Sequence, residues 1–259
     1  MDFQKFLSGN VFDAYEYFGA HMGKDGVTFR IYAPHAEKVE LQGDFNGWEF
    51  QELETGEYPG VFVWQASGAQ AGMYYKYRIT DRQGKRVMHC DPYGMLMELR
   101  PGFASRIVDR TWRFQDRLWM KERDKNYNRP MNIYELHAGS WRRKEDGSWY
   151  TYEELGEQLI PYLKKMGFNY IEFLPLSEHP ADCSWGYQNT GFFAPTSRYG
   201  TPQQLKALVD RCHQNGIGVI TDFVPVHFAV DGYALANYDG TSLYEYPHQD
   251  VGVSEWGSC

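Results

Sequence analysis

No run of apolar residues in this chain approaches the roughly 20 needed to cross a bilayer as a helix, so an integral membrane protein is not expected. The amino terminus, MDFQKFLSGNVFDAYEYFGAH, places acids and glycines where an export signal needs a basic segment and an unbroken apolar stretch, and the cytoplasm is the expected compartment. Cysteine is scarce. Cys90, Cys183, Cys212 and Cys259 form no CxxC pair and no zinc-like cluster with histidine, so no metal and no cofactor is expected, and the thiols read as free and buried in a reducing cytosol. Positive charge is also in short supply: a formal net charge of −8 argues against nucleic acid or an anionic membrane surface as partner.

What the chain has in quantity is aromatic side chains. Phe, Trp and Tyr make up 17% of its 259 residues, more than a core of this size obviously requires. Such rings stack on the apolar faces of sugars and also fill cores, so composition favours a small neutral or carbohydrate-like partner without fixing one.

Two halves follow different patterns. Up to about residue 115 the apolar period is two: VTFRIYAP sets Val27, Phe29 and Ile31 on one face, VELQG alternates Val39 and Leu41 with Glu40 and Gln42, and YYKYRIT sets Tyr75, Tyr77 and Ile79 against Lys76 and Arg78. Short strands of this kind predict an immunoglobulin-like β-sandwich over residues 1–115. The charged stretch 116–130, ending in Pro130, reads as a linker.

From Met131 strand and helix alternate. MNIYELHAG is strand-like; a helix then opens on Thr151 and Glu154 as a capping box and closes on Gly167, with Pro161 expected to kink or split it. YIEFLPL follows, then a helix opened by Thr201 and Pro202 and stopped at Gly216, then the strand IGVITDFVPVHF. These are parallel βαβ units. Residues 131–259 are thus expected to form the first three strands of an incomplete (β/α)8 TIM barrel, whose closed form takes about 250 residues. The unpaired barrel edge would favour association.

In such folds, functional groups gather at the carboxyl ends of the strands. The loop after the second strand carries Trp185, Tyr187, Phe192, Phe193 and Tyr199 with Gln188 and Asn189 among them, which suits a sugar and equally a loop folded on its own apolar cluster. Asp222, among Ile220, Phe223 and Val224, needs a cationic or hydrogen-bonding partner if buried, and none is assignable from sequence. His227 is either a satisfied structural histidine or a functional one. Glu135, His137, Glu172 and His179 also lie near strand ends, yet no carboxylate pair is recognisable as a nucleophile with its acid/base.

YELHAGSW, LPLSEHPADCSWGYQNTGFFAPTSRYGTPQQLKALVDRCHQNGIGVITDFVPVHF and YDGTSLYEY closely resemble the 1,4-α-glucan (glycogen) branching enzymes of the α-amylase superfamily, glycoside hydrolase family 13. GDFNGW, Gly43–Trp48, resembles the carbohydrate-binding module 48 that precedes their barrel. The resemblance runs along essentially the whole chain. It implies retaining transfer of an α-1,4-glucan segment to a 6-hydroxyl, forming α-1,6 branches in glycogen biosynthesis, and such chemistry uses two carboxyls about 5–5.5 Å apart.

By position in the family motifs, His227 would hydrogen-bond the sugar under attack and Asp222 would orient groups around it. Tyr187 would stack beneath the same ring, with Trp185 and Gln188 beside it. On the sandwich, Trp48 and Lys76 would touch glucan, unless Trp48 is ordinary packing; the further tryptophan of such modules is missing from RQGKRVMHCDP. Val226 stands where many amylases have a calcium-binding Asn, so the resemblance implies no calcium there. The family's nucleophilic Asp and acid/base Glu follow strands four and five, beyond Cys259, so no catalytic residue is expected within this chain and alone it is expected to be inactive. The alternatives are a non-catalytic glycogen-binding or interaction protein, or a debranching or trehalose-forming relative, against which SEHPADCSWGYQNTGFFAP speaks.

Overall fold

Two antiparallel sheets account for most of the first half of the chain. The computed structural model describes residues 1–123 and 129–248, so Cys259 lies outside the described residues. A short helix, α1 (Phe3–Leu7), precedes β1 (Gly19–Gly23), β2 (Gly26–Tyr32), β3 (Ala36–Gly43), β4 (Gln51–Glu52), β5 (Glu54–Thr55), β6 (Val61–Ala66), β7 (Tyr74–Asp81), β8 (Arg86–His89) and β9 (Ser105–Arg106). One sheet runs β1-β2-β6-β5 and the other β4-β3-β7-β8, with β9 also paired to β7. The period-two pattern explains their stacking. Val27, Phe29 and Ile31 of β2 meet Val39 and Leu41 of β3 and Tyr75, Tyr77 and Ile79 of β7 in one cluster, every one of them buried. Glu40 departs from the expected alternation and is buried too, because Arg78 Nε donates to its carboxylate at 2.7 Å and Lys38 Nζ lies 3.1 Å away.

Tyr238, remote in sequence, completes this core. It is 1% exposed, its ring meets His89 at 4.5 Å and its hydroxyl donates to the Cys90 carbonyl at 2.9 Å. The neighbouring Asp239 accepts from the His35 amide at 2.9 Å, so the YDGTSLYEY segment of the second half is seated on the sandwich.

The segment expected to be a linker contains a helix, α2 (Arg117–Glu122), and is tied to the second half at its start: Asp116 pairs with His213 at 2.7 Å, and the Gln115 amide donates to Asp210. Beyond it, β10 (Ile133–Leu136), α3 (Tyr152–Met166), β11 (Tyr170–Phe173), β12 (Ser177–Glu178), β13 (Gly191–Pro195), α4 (Pro202–Gln214) and β14 (Gly218–Thr221) follow. The parallel sheet runs β10-β11-β14, with Glu135, Glu172 and Ile220 in register. Leu136, Ile171 and Phe173 pack against Leu155, Leu159 and Leu163 of α3 and Leu208 and Cys212 of α4, as the i, i+4 spacing of those helices requires. β12 and β13 pair within the loop after β11. No helix among the described residues is long and apolar enough to cross a membrane.

Three expectations need correction. Pro161 does not split α3, which continues to Met166: Glu157, whose carbonyl loses its partner there, and Pro161 itself both lie on the exposed side, where solvent can satisfy the carbonyl. IGVITDFVPVHF is strand only to Thr221; Phe223 is 60% and Val226 78% exposed, and Pro225 lacks the amide that a ladder would use. Of the cysteines expected to be buried, Cys183 is exposed, while Cys90 and Cys212 are buried and burial pushes both thiols up to about 12.

Candidate functional site

The carboxyl ends of β10, β11 and β14 lie side by side, and the loops leaving them converge. The loop after β11 turns sharply at Trp185-Gly186-Tyr187. Gly186 has φ +90°, and a β-carbon there would stand 2.4 Å from the Pro175 carbonyl oxygen, so the turn demands glycine. Trp185 is itself in the left-handed region at φ 54°, and its ring lies 5.2 Å from that of His137, tilted by only 14°. His137 follows β10 and holds Ser140 Oγ at 2.9 Å; burial, with Arg143 and Arg198 nearby, lowers its pKa and favours the neutral imidazole.

Tyr187 joins the second loop to the third. Its hydroxyl donates to Asp222 Oδ2 at 2.9 Å, and its carbonyl accepts from His227 Nε2 at 2.8 Å, so that nitrogen carries a proton. Burial first, then Asp222, Glu135 and Glu172, raise the phenol's pKa and keep it a donor. Asp222 is half-buried rather than enclosed, which removes the cost of a fully buried carboxylate, and the partner that the sequence could not supply is this tyrosine, 35 residues away. Gln188 is half-buried next in the chain, and the Asn189 carbonyl accepts from the Ala229 amide at 2.9 Å, so the two loops meet there again.

The structure therefore brings Trp185, Tyr187, Asp222 and His227 into one surface. Trp185 and Tyr187 are 48% and 37% exposed, as a ring-stacking face needs. Trp48 and Lys76 form a separate pair on the sandwich. Trp48 Nε1 donates to Asp44 Oδ1 at 2.9 Å, and Lys76 Nζ lies 5.9 Å from the Trp48 ring. It lies closer, at 3.7 Å, to the ring of Phe103, which stacks on Tyr233 at 4.6 Å. Sequence reasoning misses Phe103, because it follows the RQGKRVMHCDP hairpin by several residues instead of sitting within it.

A second group is invisible to motif reading. Arg198 is almost fully buried and donates Nη1 to Glu178 Oε1 at 2.8 Å and Nη2 to Asp182 Oδ1 at 2.7 Å. Burial raises the Glu178 carboxyl while the Ser197 and His179 amides and Arg198 pull it down, and burial lowers His179 to about 4. Among the described residues no group of three or more His, Cys, Asp or Glu is placed to hold a metal ion.

Comparison with known proteins agrees with the two-part fold. Residues 17–94 match the model for carbohydrate-binding module 48 (isoamylase N-terminal domain), and residues 155–241 match the alpha amylase catalytic domain. The chain is 45% identical to the 1,4-alpha-glucan branching enzyme of Geobacillus stearothermophilus over 98% of its own length and 41% of that protein, and 42% identical to the branching enzyme of Fusobacterium nucleatum over 98% and 42%. It therefore spans about two fifths of the length of the curated relatives it matches. A solved structure assigned as an alpha amylase from Salmonella typhimurium superposes with a TM-score of 0.73 at 25% identity, over 93% of this chain and 38% of that one. The chain thus carries a module of the carbohydrate-binding module 48 family followed by part of an alpha amylase catalytic domain, and along nearly its whole length it is similar to 1,4-alpha-glucan branching enzymes.

Proposed function

We propose that this chain is the glucan-positioning part of a cytoplasmic branching enzyme, which transfers an α-1,4-glucan segment to a 6-hydroxyl with retention and so forms α-1,6 branches. In this reading residues 1–115 are the sandwich unit, 116–130 the connection and 131–259 the barrel portion. The observation that carries it is the Tyr187 bridge: one residue at the strand ends donates its side-chain hydroxyl to Asp222 and accepts from His227 at its backbone carbonyl, beside the exposed Trp185. A sugar ring laid on Tyr187 would find Asp222 and His227 at its edge, an apolar face and polar rim suited to a pyranose. In this reading neither carboxyl of a retaining mechanism comes from the three strands described.

Calorimetric titration with maltoheptaose tests this: binding by the parent chain and its loss in Tyr187→Ala are expected, and unaltered binding in that variant would exclude the strand-end surface. Incubated alone with amylose, the chain is expected to leave the iodine colour unchanged. A second reading, binding through the sandwich alone, draws on the cluster of Lys76, Trp48 and Phe103. Retardation in a glycogen gel that Trp48→Ala abolishes and Tyr187→Ala does not would favour it.

A further inference from the structure

The turn that carries Trp185 begins at Asp182, the first residue of a single 3-10 turn, Asp182–Ser184. Trp185 N–H donates to the Asp182 carbonyl at 3.2 Å and Tyr187 N–H to that of Ser184 at 3.0 Å, so the turn that Asp182 opens holds the backbone at both aromatic residues. Large rings half in solvent do not hold themselves, because ordering an exposed loop costs conformational entropy that its own few contacts must offset. Something outside the turn has to fix its base.

Two arginines do so. Arg198, just after β13, donates Nε and Nη2 to Asp182 Oδ1 at 2.8 and 2.7 Å while its remaining nitrogen serves Glu178 and Thr196. Arg100 reaches across from the sandwich side, between β8 and β9, donating Nε to Asp182 Oδ1 at 2.7 Å and Nη2 to Oδ2. The segment bearing Arg100 is itself anchored. Met97 is 2% exposed, its carbonyl accepts from Ser197 Oγ, and its sulfur fills the space beside Gly191, where a β-carbon would come within 2.8 Å.

The charges clarify what each arginine is for. Arg198 is buried and already balanced by Glu178, so the buried pair does not need Asp182 to be neutral. Asp182 is 47% exposed at its side chain and could be left to water. Its bidentate engagement by Arg100 is thus not forced by desolvation; what the fork does supply is a fixed direction, since a planar guanidinium meeting both carboxylate oxygens locks rotation about the contact.

We infer that Arg100 is a positioning residue for the sugar-binding face: through Asp182 it fixes the turn that presents Trp185 and Tyr187, so that the sandwich sets the geometry of a glucan subsite on the barrel. This rests on the reading of Trp185 and Tyr187 as that face.

The test uses the whole chain labelled with 5-fluorotryptophan, with the Trp185 fluorine resonance assigned through Trp185→Phe. Trp149 lies 5.8 Å from the Arg100 guanidinium and will respond to any change there; Trp64, in the sandwich cluster, reports whether the fold survives. Arg100→Ala is expected to shift or broaden the Trp185 resonance with Trp64 unmoved, Asp182→Asn to do the same, and Arg100→Lys, which keeps the charge but not the fork, to restore it only in part. Maltoheptaose affinity should fall about fivefold in Arg100→Ala, the worth of one well-formed exposed ion pair. An unmoved Trp185 resonance in both Arg100→Ala and Asp182→Asn overturns the inference. If Trp185 moves in these variants but maltoheptaose perturbs no resonance of the parent, the positioning role stands and the glucan reading falls.

Discussion

The Tyr187 hydroxyl lies 2.9 Å from Asp222 Oδ2, a single hydrogen bond that ties the loop after β11 to the segment after β14. Tyr187→Phe removes the donor and keeps the ring. Because Tyr187 is 37% exposed and Asp222 can turn to water, stability should change by no more than about 1 kcal/mol. If the bond holds the ring for a sugar, maltoheptaose affinity should nevertheless weaken by about fivefold, the equivalent of one hydrogen bond of ordinary strength. Urea unfolding and calorimetry on the same variant separate the two effects, and equal affinities would show that the ring positions itself.

Gly186 makes a stronger demand. At φ +90° a side chain is strained whatever the space, and here a β-carbon would also stand only 2.4 Å from the Pro175 carbonyl oxygen. Gly186→Ala should therefore destabilise by about 1–3 kcal/mol from backbone strain, with the contact adding to it. Gly147, at φ +79° with nothing within 4 Å, supplies the comparison: alanine there meets the strain and no contact, so its smaller loss in a urea series isolates the clash.

How much of this is legible in the sequence depends on distance along the chain. The alternation of Val27, Phe29 and Ile31, the capping box at Thr151 and the Thr201 cap with Pro202 behind it are local, and sequence and structure agree on them. ITDFVPVHF misleads because β-branched and aromatic residues look the same in a strand and in an extended loop; Pro225 is the clue that the ladder stops. The partners of Asp222 and Asp239 sit 35 and 204 residues away, and Arg100 and Asp182 are separated by 82; no periodicity reports such contacts. Tyr238 in the sandwich core is the extreme case, a tyrosine in a polar stretch whose burial only the tertiary fold reveals.

Stability against pH should carry two opposed slopes from neighbouring residues. Burial raises Asp91 from 3.8 to about 6, although Tyr75 and the Tyr93 amide hydrogen-bond to it. Between those values the folded state binds the extra proton, so the Asp91 contribution is complete below 3.8 and lost as pH rises to about 6. Burial lowers His89 from 6.5 to about 4, so there the unfolded state binds the extra proton and stability grows as pH rises through that window; His179 acts in the same sense. Relative to the parent, Asp91→Asn should gain stability with rising pH between 4 and 6, and His89→Gln should lose it, each by up to about 1.4 kcal/mol per pH unit. Urea midpoints at three pH values check the signs; differences that do not vary with pH would sink the assignment.

Arg198 offers the sharpest contrast between removing one partner and removing both. Its side chain is 2% exposed and that of Glu178 4%, with 2.8 Å between Nη1 and Oε1. Arg198→Met leaves Glu178 buried with only the Ser197 and His179 amides and the Thr196 hydroxyl to satisfy it, and should cost about 3–5 kcal/mol at neutral pH. Adding Glu178→Gln removes the stranded charge while keeping an acceptor for the Ser197 amide, so the double variant should recover a large part of the loss. The two single variants and the double variant, compared by thermal unfolding, form a cycle whose coupling energy isolates the pair. Protonating Glu178 has the same effect as the amide, so the Arg198→Met penalty should shrink as pH falls below the raised carboxyl value, whereas the parent, whose carboxylate keeps its cation, should show less of that relief. A penalty equal at pH 7 and pH 4 would mean that lost packing by the arginine stem, and not the stranded carboxylate, is what the substitution removes.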